Sequence, residues 1–204
     1  QVSYLEFFGM VSGIVAVALS AFANIWSWPI GIVNVILSFF VFYQVQLYPD
    51  MFLQIFFFVT NLIGWWRWAH PRPNEEDRRH ELRVSFMKPS QIAITVSVAM
   101  AGTFLLGLFA QNLNTLLPEI FTQPSASPYL DSFITVMSVM TTFYMIEKKI
   151  ECWVVWIIVD VIATYLYFSR GLPLYSVLYL IFTAIATFAL WNWIREYRSY
   201  QHAI

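Results

Sequence analysis

Between Glu151 and Tyr167 the sequence reads ECWVVWIIVDVIATYLY, with Trp153, Trp156, Asp160, Thr164 and Tyr167 at i, i+3, i+7, i+11 and i+14. At helical period these residues share one stripe, while Val, Ile, Leu and Ala cover the other faces. Indole faces beside a carboxylate suit a flat, cationic ligand, because a desolvated ring face attracts a cation by about 2 kcal/mol or more. An aspartate in the middle of so apolar a segment costs at least roughly 2.5–3.5 kcal/mol on insertion scales. It is therefore expected to face a bundle interior or a wet cavity. The stripe reads as one wall of a buried small-molecule site.

Other polar groups recur at the same period. Gly31, Asn34 and Ser38 follow i, i+3, i+7; Gln54, Asn61, Trp65 and Trp68 follow i, i+7, i+11, i+14, with Thr60 beside them. Tyr175, Tyr179 and Thr183 form a further stripe, and Thr135, Ser138 and Thr142 another. Helix–helix hydrogen bonding, worth about 0.6 kcal/mol per bond, accounts for the Ser and Thr positions. Asn34, Gln54, Asn61 and Asp160 together exceed what packing asks and read as ligand groups. Trp26, Trp66, Trp68, Trp191 and Trp193 fall near expected span ends, where an interfacial aromatic belt is the expectation.

The missing groups exclude several classes. His70, His80 and His202 lie outside the apolar segments, and no His, Cys and Glu cluster has metal-ligand spacing. No P-loop or nucleophile elbow occurs, and one interior carboxylate without a paired base speaks against an enzyme. No cofactor is expected. Lys and Arg are absent from the middle of every apolar segment, which disfavours phosphorylated ligands relative to neutral or cationic ones.

These residues need a scaffold, and composition names it. Of 204 residues, 59% are hydrophobic, 19% aromatic and 11% charged, where soluble domains carry about 25% charge. The fold class is an all-α integral membrane protein, since helices satisfy their own backbone in lipid and the long unbroken apolar runs do not suit a barrel. Seven spans are expected: Tyr4–Ala23, Trp28–Val45, Met51–Trp68, Ser90–Gln111, Tyr129–Ile146, Ile150–Ser169 and Pro173–Ile194. A net charge of −1 gives no support for nucleic acid as a partner, and the single Cys152 excludes an intrachain disulfide. The chain starts at Gln1 with no methionine and no cleavable signal, and is expected to be part of a longer reading frame.

Ten of the eleven Lys and Arg residues lie on the face carrying the 3–4 loop, the 5–6 loop and the C-terminus; the other face holds Arg170. That bias places the C-terminus in the cytoplasm and the N-terminus outside. The run Glu75–Arg83 reads as a solvated cytoplasmic loop, and Pro118, Pro124 and Pro128 break any helix in the 112–128 connector. A shift of 125 residues superposes Trp28 on Trp153, Leu47 on Leu172, Trp66 on Trp191 and Trp68 on Trp193. Ile25/Ile150, Val33/Ile158, Phe40/Tyr165 and Phe42/Tyr167 keep their character without a gap. Self-similarity at a fixed offset indicates duplication. Three spans invert the chain and a fourth restores it, so the repeats are parallel in a 3+1+3 plan. The expected division is 1–69, a first three-helix repeat; 70–128, the loop, linker helix and external loop; and 129–204, the second repeat and tail. Trp28 thereby becomes a further candidate for stacking, as the mate of Trp153.

The motifs WSWPIGIVN (26–34), GWWRW (64–68), ECWVVWIIVD (151–160) and LWNW (190–193) resemble the PnuC-type vitamin transporters over nearly the whole chain. The resemblance implies a full-length SWEET-like fold and a homotrimer in the plasma membrane. It implies facilitated diffusion of nicotinamide riboside, made one-way by a cytoplasmic riboside kinase. Carried over by position, it implies Trp153 and Trp156 on the nicotinamide ring, Asn34, Gln54 and Asn61 on ribose or carboxamide, and Asp160 orienting the site or offsetting the positive charge. Tyr179 and Thr183 complete the candidate set. The same fold carrying thiamine, and an ion-coupled symporter using Asp160, remain alternatives at this stage, as do a membrane enzyme and a receptor-like subunit.

Overall fold

The computed structural model describes residues 4–44, 48–116, 127–169, 171 and 173–201. Gln1, Val45, Leu47, Pro118, Pro124, Arg170, Leu172 and His202 lie outside the described residues, as do the side chains of Phe42 and Tyr175. Among the described residues there are seven long helices and one short one: α1 (Tyr4–Ala21), α2 (Ser27–Gln44), α3 (Tyr48–Ala69), α4 (Pro89–Gln111), α5 (Leu113–Leu116), α6 (Pro128–Ile146), α7 (Glu151–Ser169) and α8 (Pro173–Gln201). The seven long ones match the seven expected spans. By length and composition, α4, α6, α7 and Ser176–Tyr200 of α8 can each cross a bilayer, while α1 and α2 carry the shorter apolar stretches Phe7–Ala21 and Ser27–Val41. Proline opens α4, α6 and α8, where its missing N–H has no helical acceptor and its fixed φ suits the first turn.

The packing closes a ring. α1 packs on α2 and α2 on α3; α6 packs on α7 and α7 on α8; the two units meet at α1–α8 and α3–α6. Each contact maps onto another when the first unit is exchanged for the second, as a pseudo-twofold axis requires. Ring order sets α2 opposite α7. The linker α4 packs on α6, where Gly107 faces the Tyr129 ring and Gly102 faces Val136. A hydroxyl contact between Thr95 and Tyr144 completes that seam.

The duplication extends to individual hydrogen bonds. In the α1–α2 turn, Ala23 N–H donates to Ser20 O (2.9 Å), Asn24 to Leu19 O (3.0 Å), Ser27 to Asn24 O (3.1 Å) and Trp28 to Ile25 O (3.2 Å). In the α6–α7 turn, Lys148 donates to Met145 O (3.0 Å), Lys149 to Tyr144 O (2.9 Å), Cys152 to Lys149 O (3.1 Å) and Trp153 to Ile150 O (3.1 Å). Every pair is offset by the same 125 residues. Ala23 (φ 50°) and Lys148 (φ 52°) both take the left-handed conformation without being glycine, which costs about 1 kcal/mol or more and persists because the surroundings impose it.

The run Glu75–Arg83 stays mostly exposed, as expected of a solvated loop, but the 3–4 connector also buries three apolar residues. Leu82 and Val84 are buried in the main apolar cluster with Trp68, Trp153 and Trp193, and Met87 is also buried. Leu82 N–H donates to Trp68 O, Ser85 and the α6–α7 turn exchange two backbone bonds, and Met87 N–H donates to the Glu151 carboxylate. The burial of Leu82 and Val84 and these backbone hydrogen bonds outweigh the charges around them. The connector is a strap laid across the basic end of the ring.

Candidate functional site

Tryptophans close the ring at its basic end. Trp28 meets Trp68 edge-on at 5.2 Å and 88°, and Trp153 meets Trp193 at 5.4 Å and 89°. Trp68 and Trp193 then meet each other across the axis at 6.1 Å and 59°. Edge-to-face pairs of this kind add about 0.5–1.5 kcal/mol each beyond their burial. Trp68 Nε1 donates to Met145 O and Ile146 O, and Trp193 Nε1 donates to Ser20 O, so each repeat is tied to the other. Trp26, Trp66 and Trp191 are more than half exposed, as an interfacial belt requires. Trp68 and Trp193 are 0% exposed, which corrects their assignment to that belt. A tryptophan near a span end has the same hydropathy whether its helix face turns to lipid or inward.

The candidate residues divide into three groups. Trp28 and Trp153 belong to the tryptophan quartet, buried, with neither Nε1 hydrogen-bonded among the described residues. Trp156 packs on the edge of the same cluster and reaches a second one formed by Ala99, Met137 and Val159. The asparagine amides of the first repeat bond within that repeat. Asn34 Nδ2 donates to Gly9 O (2.6 Å) and Ser12 Oγ (3.4 Å) of α1, and Asn61 Nδ2 donates to Phe57 O. Asn61 also lies against Gly31, where a Cβ would sit 2.3 Å from its Oδ1. Gln54 is 9% exposed at a groove of about 270 Å³ between α2 and α3, which Val35, Ile36, Phe39, Phe40, Ile55 and Phe58 complete.

The third group is the α7–α8 seam. Asp160 is 4% exposed, and its carboxylate accepts no hydrogen bond among the described residues. Below it on the stripe, Thr164 bonds back to Asp160 O, Ser176 Oγ donates to Thr164 O, and Tyr167 stacks on Tyr179 at 5.2 Å and 14°. Thr183 Oγ1 bonds Tyr179 O within α8. Thr135 and Thr142 likewise bond back to their own helix, and not, among the described residues, across to a neighbouring one, which corrects the helix–helix bonding expected of them. The tryptophans are thus brought together, and Asp160 lies on α7 one turn before the Thr164–Ser176 contact with α8. Asn34 and Asn61 make no hydrogen bond to Asp160 among the described residues; their amides are engaged by Gly9 O, Ser12 Oγ and Phe57 O.

Electrostatics at the basic end are organised by Arg67. Its guanidinium makes a bidentate pair with Glu147 (3.1 and 3.0 Å) and reaches Glu75 at 2.7 Å. The hydrogen bond from Arg67 holds the Glu75 carboxyl below its ordinary value. Among the described residues, no group of His, Cys, Asp and Glu is placed to hold a metal ion.

Two parallel three-helix units joined by a linker helix are the plan of a polytopic membrane transporter. A sequence profile for nicotinamide mononucleotide transporters matches residues 3–195. Nicotinamide riboside transporter PnuC of Escherichia coli (strain K12) is 29% identical, over 98% of this chain and 88% of that protein. Riboflavin/roseoflavin transporter RibM of Streptomyces davaonensis is 21% identical, over 95% and 85% respectively. The crystal structure of the vitamin B3 transporter PnuC shares the fold, with a TM-score of 0.71 at 24% identity over 97% of this chain and 83% of that one. The chain belongs to the nicotinamide mononucleotide transporter family. It is a multi-pass membrane transporter and not an enzyme.

Proposed function

We propose that the protein carries nicotinamide riboside into the cell across the inner (plasma) membrane by facilitated diffusion, rather than the mononucleotide of the family's description. One observation carries this reading: an indole-walled stripe holds a buried acid and no cation. Asp160 has no partner among the described residues, and the span-end cation Arg67 is already engaged by two carboxylates. Nicotinamide riboside offers a flat cationic ring, hydroxyls for amides that both donate and accept, and no phosphate. A phosphate there would need a basic partner. The Escherichia coli relative, named as a nicotinamide riboside transporter, supports the same choice.

The basic face is the cytoplasmic one in this reading, by the charge bias of the loops. The tryptophan quartet is then the closed inner gate, and the site is reached from outside. Rocking the units 1–69 and 129–204 about the axis parts Trp68 from Trp193 and brings the amides of α2 and α3 toward the α7 stripe. Trp153 and Trp156 then offer ring faces, Asn34, Gln54 and Asn61 bind hydroxyls or carboxamide, and Asp160 balances the charge. The reading extends to a homotrimer and to a cytoplasmic riboside kinase that traps the product. In liposomes holding such a kinase and ATP, labelled riboside should accumulate as mononucleotide. Equal uptake without the protein would end this reading.

A further inference from the structure

Lys148 carries a charge that its turn does not need. Its repeat mate Ala23 has the same left-handed backbone and the same complete burial with only a methyl group. The Lys148 side chain is 0% exposed, with Nζ 4.3 Å from the Trp68 ring centroid and 3.9 Å from Glu81 Oε2 of the strap. Neither Nζ nor Glu81 Oε2 makes a hydrogen bond among the described residues. The indole face and the carboxylates of Asp77, Glu81 and Glu196 offset only part of the desolvation of an ammonium. On the other turn the strap reaches over instead, with Arg79 Nη2 donating to Ala23 O (3.4 Å) and Glu196 (3.3 Å).

We propose that Lys148 is a charge loaded into the closed inner gate and held there by Glu81, so that the closed state stays marginal and opens by releasing the ammonium to water. This rests on reading the tryptophan quartet as that gate. The groups facing Lys148 are Asp77, Arg79 and Glu81 of the strap and Glu196 of α8, with Trp68 from α3. Burial lowers the Lys148 pKa to about 8, against attraction from Asp77, Glu81 and Glu196. Closing therefore favours the neutral amine: below about pH 8 the closed gate bears the full burden of the charge, and raising the pH from there toward 10.5 relieves it.

The two ends of this contact should act in opposite directions. Cys152, the single cysteine, is 0% exposed in the same apolar cluster and reports opening by its rate of maleimide labelling in purified protein in nanodiscs. Lys148→Met removes the load and should slow labelling by about tenfold, a shift of about 1.4 kcal/mol. Glu81→Gln removes the carboxylate nearest the ammonium and should accelerate labelling by a similar factor. Lys148→Ala, the residue of the repeat mate, serves if the Met variant does not fold. Corrected for the reactivity of unfolded protein at each pH, labelling of the unaltered protein should fall between pH 7 and 9, and that of Lys148→Met should not. A plain ion-pair clasp predicts faster labelling in both variants. That result, or no change in either, overturns the proposal. Labelling needs no substrate, so a failed riboside assay leaves this test intact.

Discussion

The Trp68 indole lies 6.1 Å from that of Trp193 at 59°, and each carries an edge-on tryptophan of its own repeat. The two rings hold corresponding places in the repeats, so this contact sits on the pseudo-twofold axis and makes the closure self-complementary. What one unit contributes to it, the other contributes as well.

Trp68→Ala and Trp193→Ala should each cost about 3–5 kcal/mol, the range for emptying a large buried aromatic. The double variant should lose less than the sum by about 0.5–1.5 kcal/mol, because the rings contact each other. Denaturant unfolding of the four proteins measures this, and strict additivity would remove the contact from the account.

Gly64 and Ala189 are repeat mates with different tolerances. A Cβ at Gly64 would stand 2.3 Å from the Trp28 ring, whereas Ala189 already carries one, fully buried, in the cluster that holds Trp153. Gly64→Ala should therefore destabilise by about 1–3 kcal/mol through overpacking. Ala189→Gly should cost only about 0.5–1 kcal/mol, mostly from backbone entropy and lost helix propensity. Thermal melts of both variants decide it.

Much of this was legible in the sequence. Hydropathy fixes the seven long helices, because lipid leaves the backbone no other partner. The constant offset between the Trp28–Trp68 and Trp153–Trp193 pairs foreshadows the symmetry of the ring. The inward turn of Trp68 and Trp193 was not legible, since belt and core tryptophans look alike at a helix end. The strap hid for the opposite reason: Leu82 and Val84 are two apolar residues in a charged run, and their burial depends on a cleft that only the assembled ring supplies. Asn34 and Asn61 were found by periodicity, which does not specify that they bond to Gly9 O and Phe57 O.

The pH dependence has two arms of known sign. Glu75 is held below its ordinary value, so the stability it adds is complete above the usual carboxylate value of 4.5 and is lost as pH falls from there through the depressed value. Lys148 is depressed to about 8 from 10.5, so its contribution rises with pH across that interval. Melting temperatures in buffered detergent should follow both arms. Glu75→Gln should flatten the acid arm and Lys148→Met the alkaline one.

Asp160→Asn should weaken binding of the cationic riboside by at least about tenfold, or 1.4 kcal/mol, and change binding of the neutral dihydro-riboside far less. Uptake by the unaltered protein should not respond to an imposed proton or sodium gradient. A gradient response abolished by Asp160→Asn would instead make this residue an ion-coupling site.

The central claim is that the site accepts a cation without a phosphate. Calorimetric titration of the purified protein with nicotinamide riboside and with its mononucleotide tests it most directly. Riboside should bind saturably and the mononucleotide more weakly by at least about tenfold, for want of a basic partner at the stripe. Equal or tighter binding of the mononucleotide would contradict it.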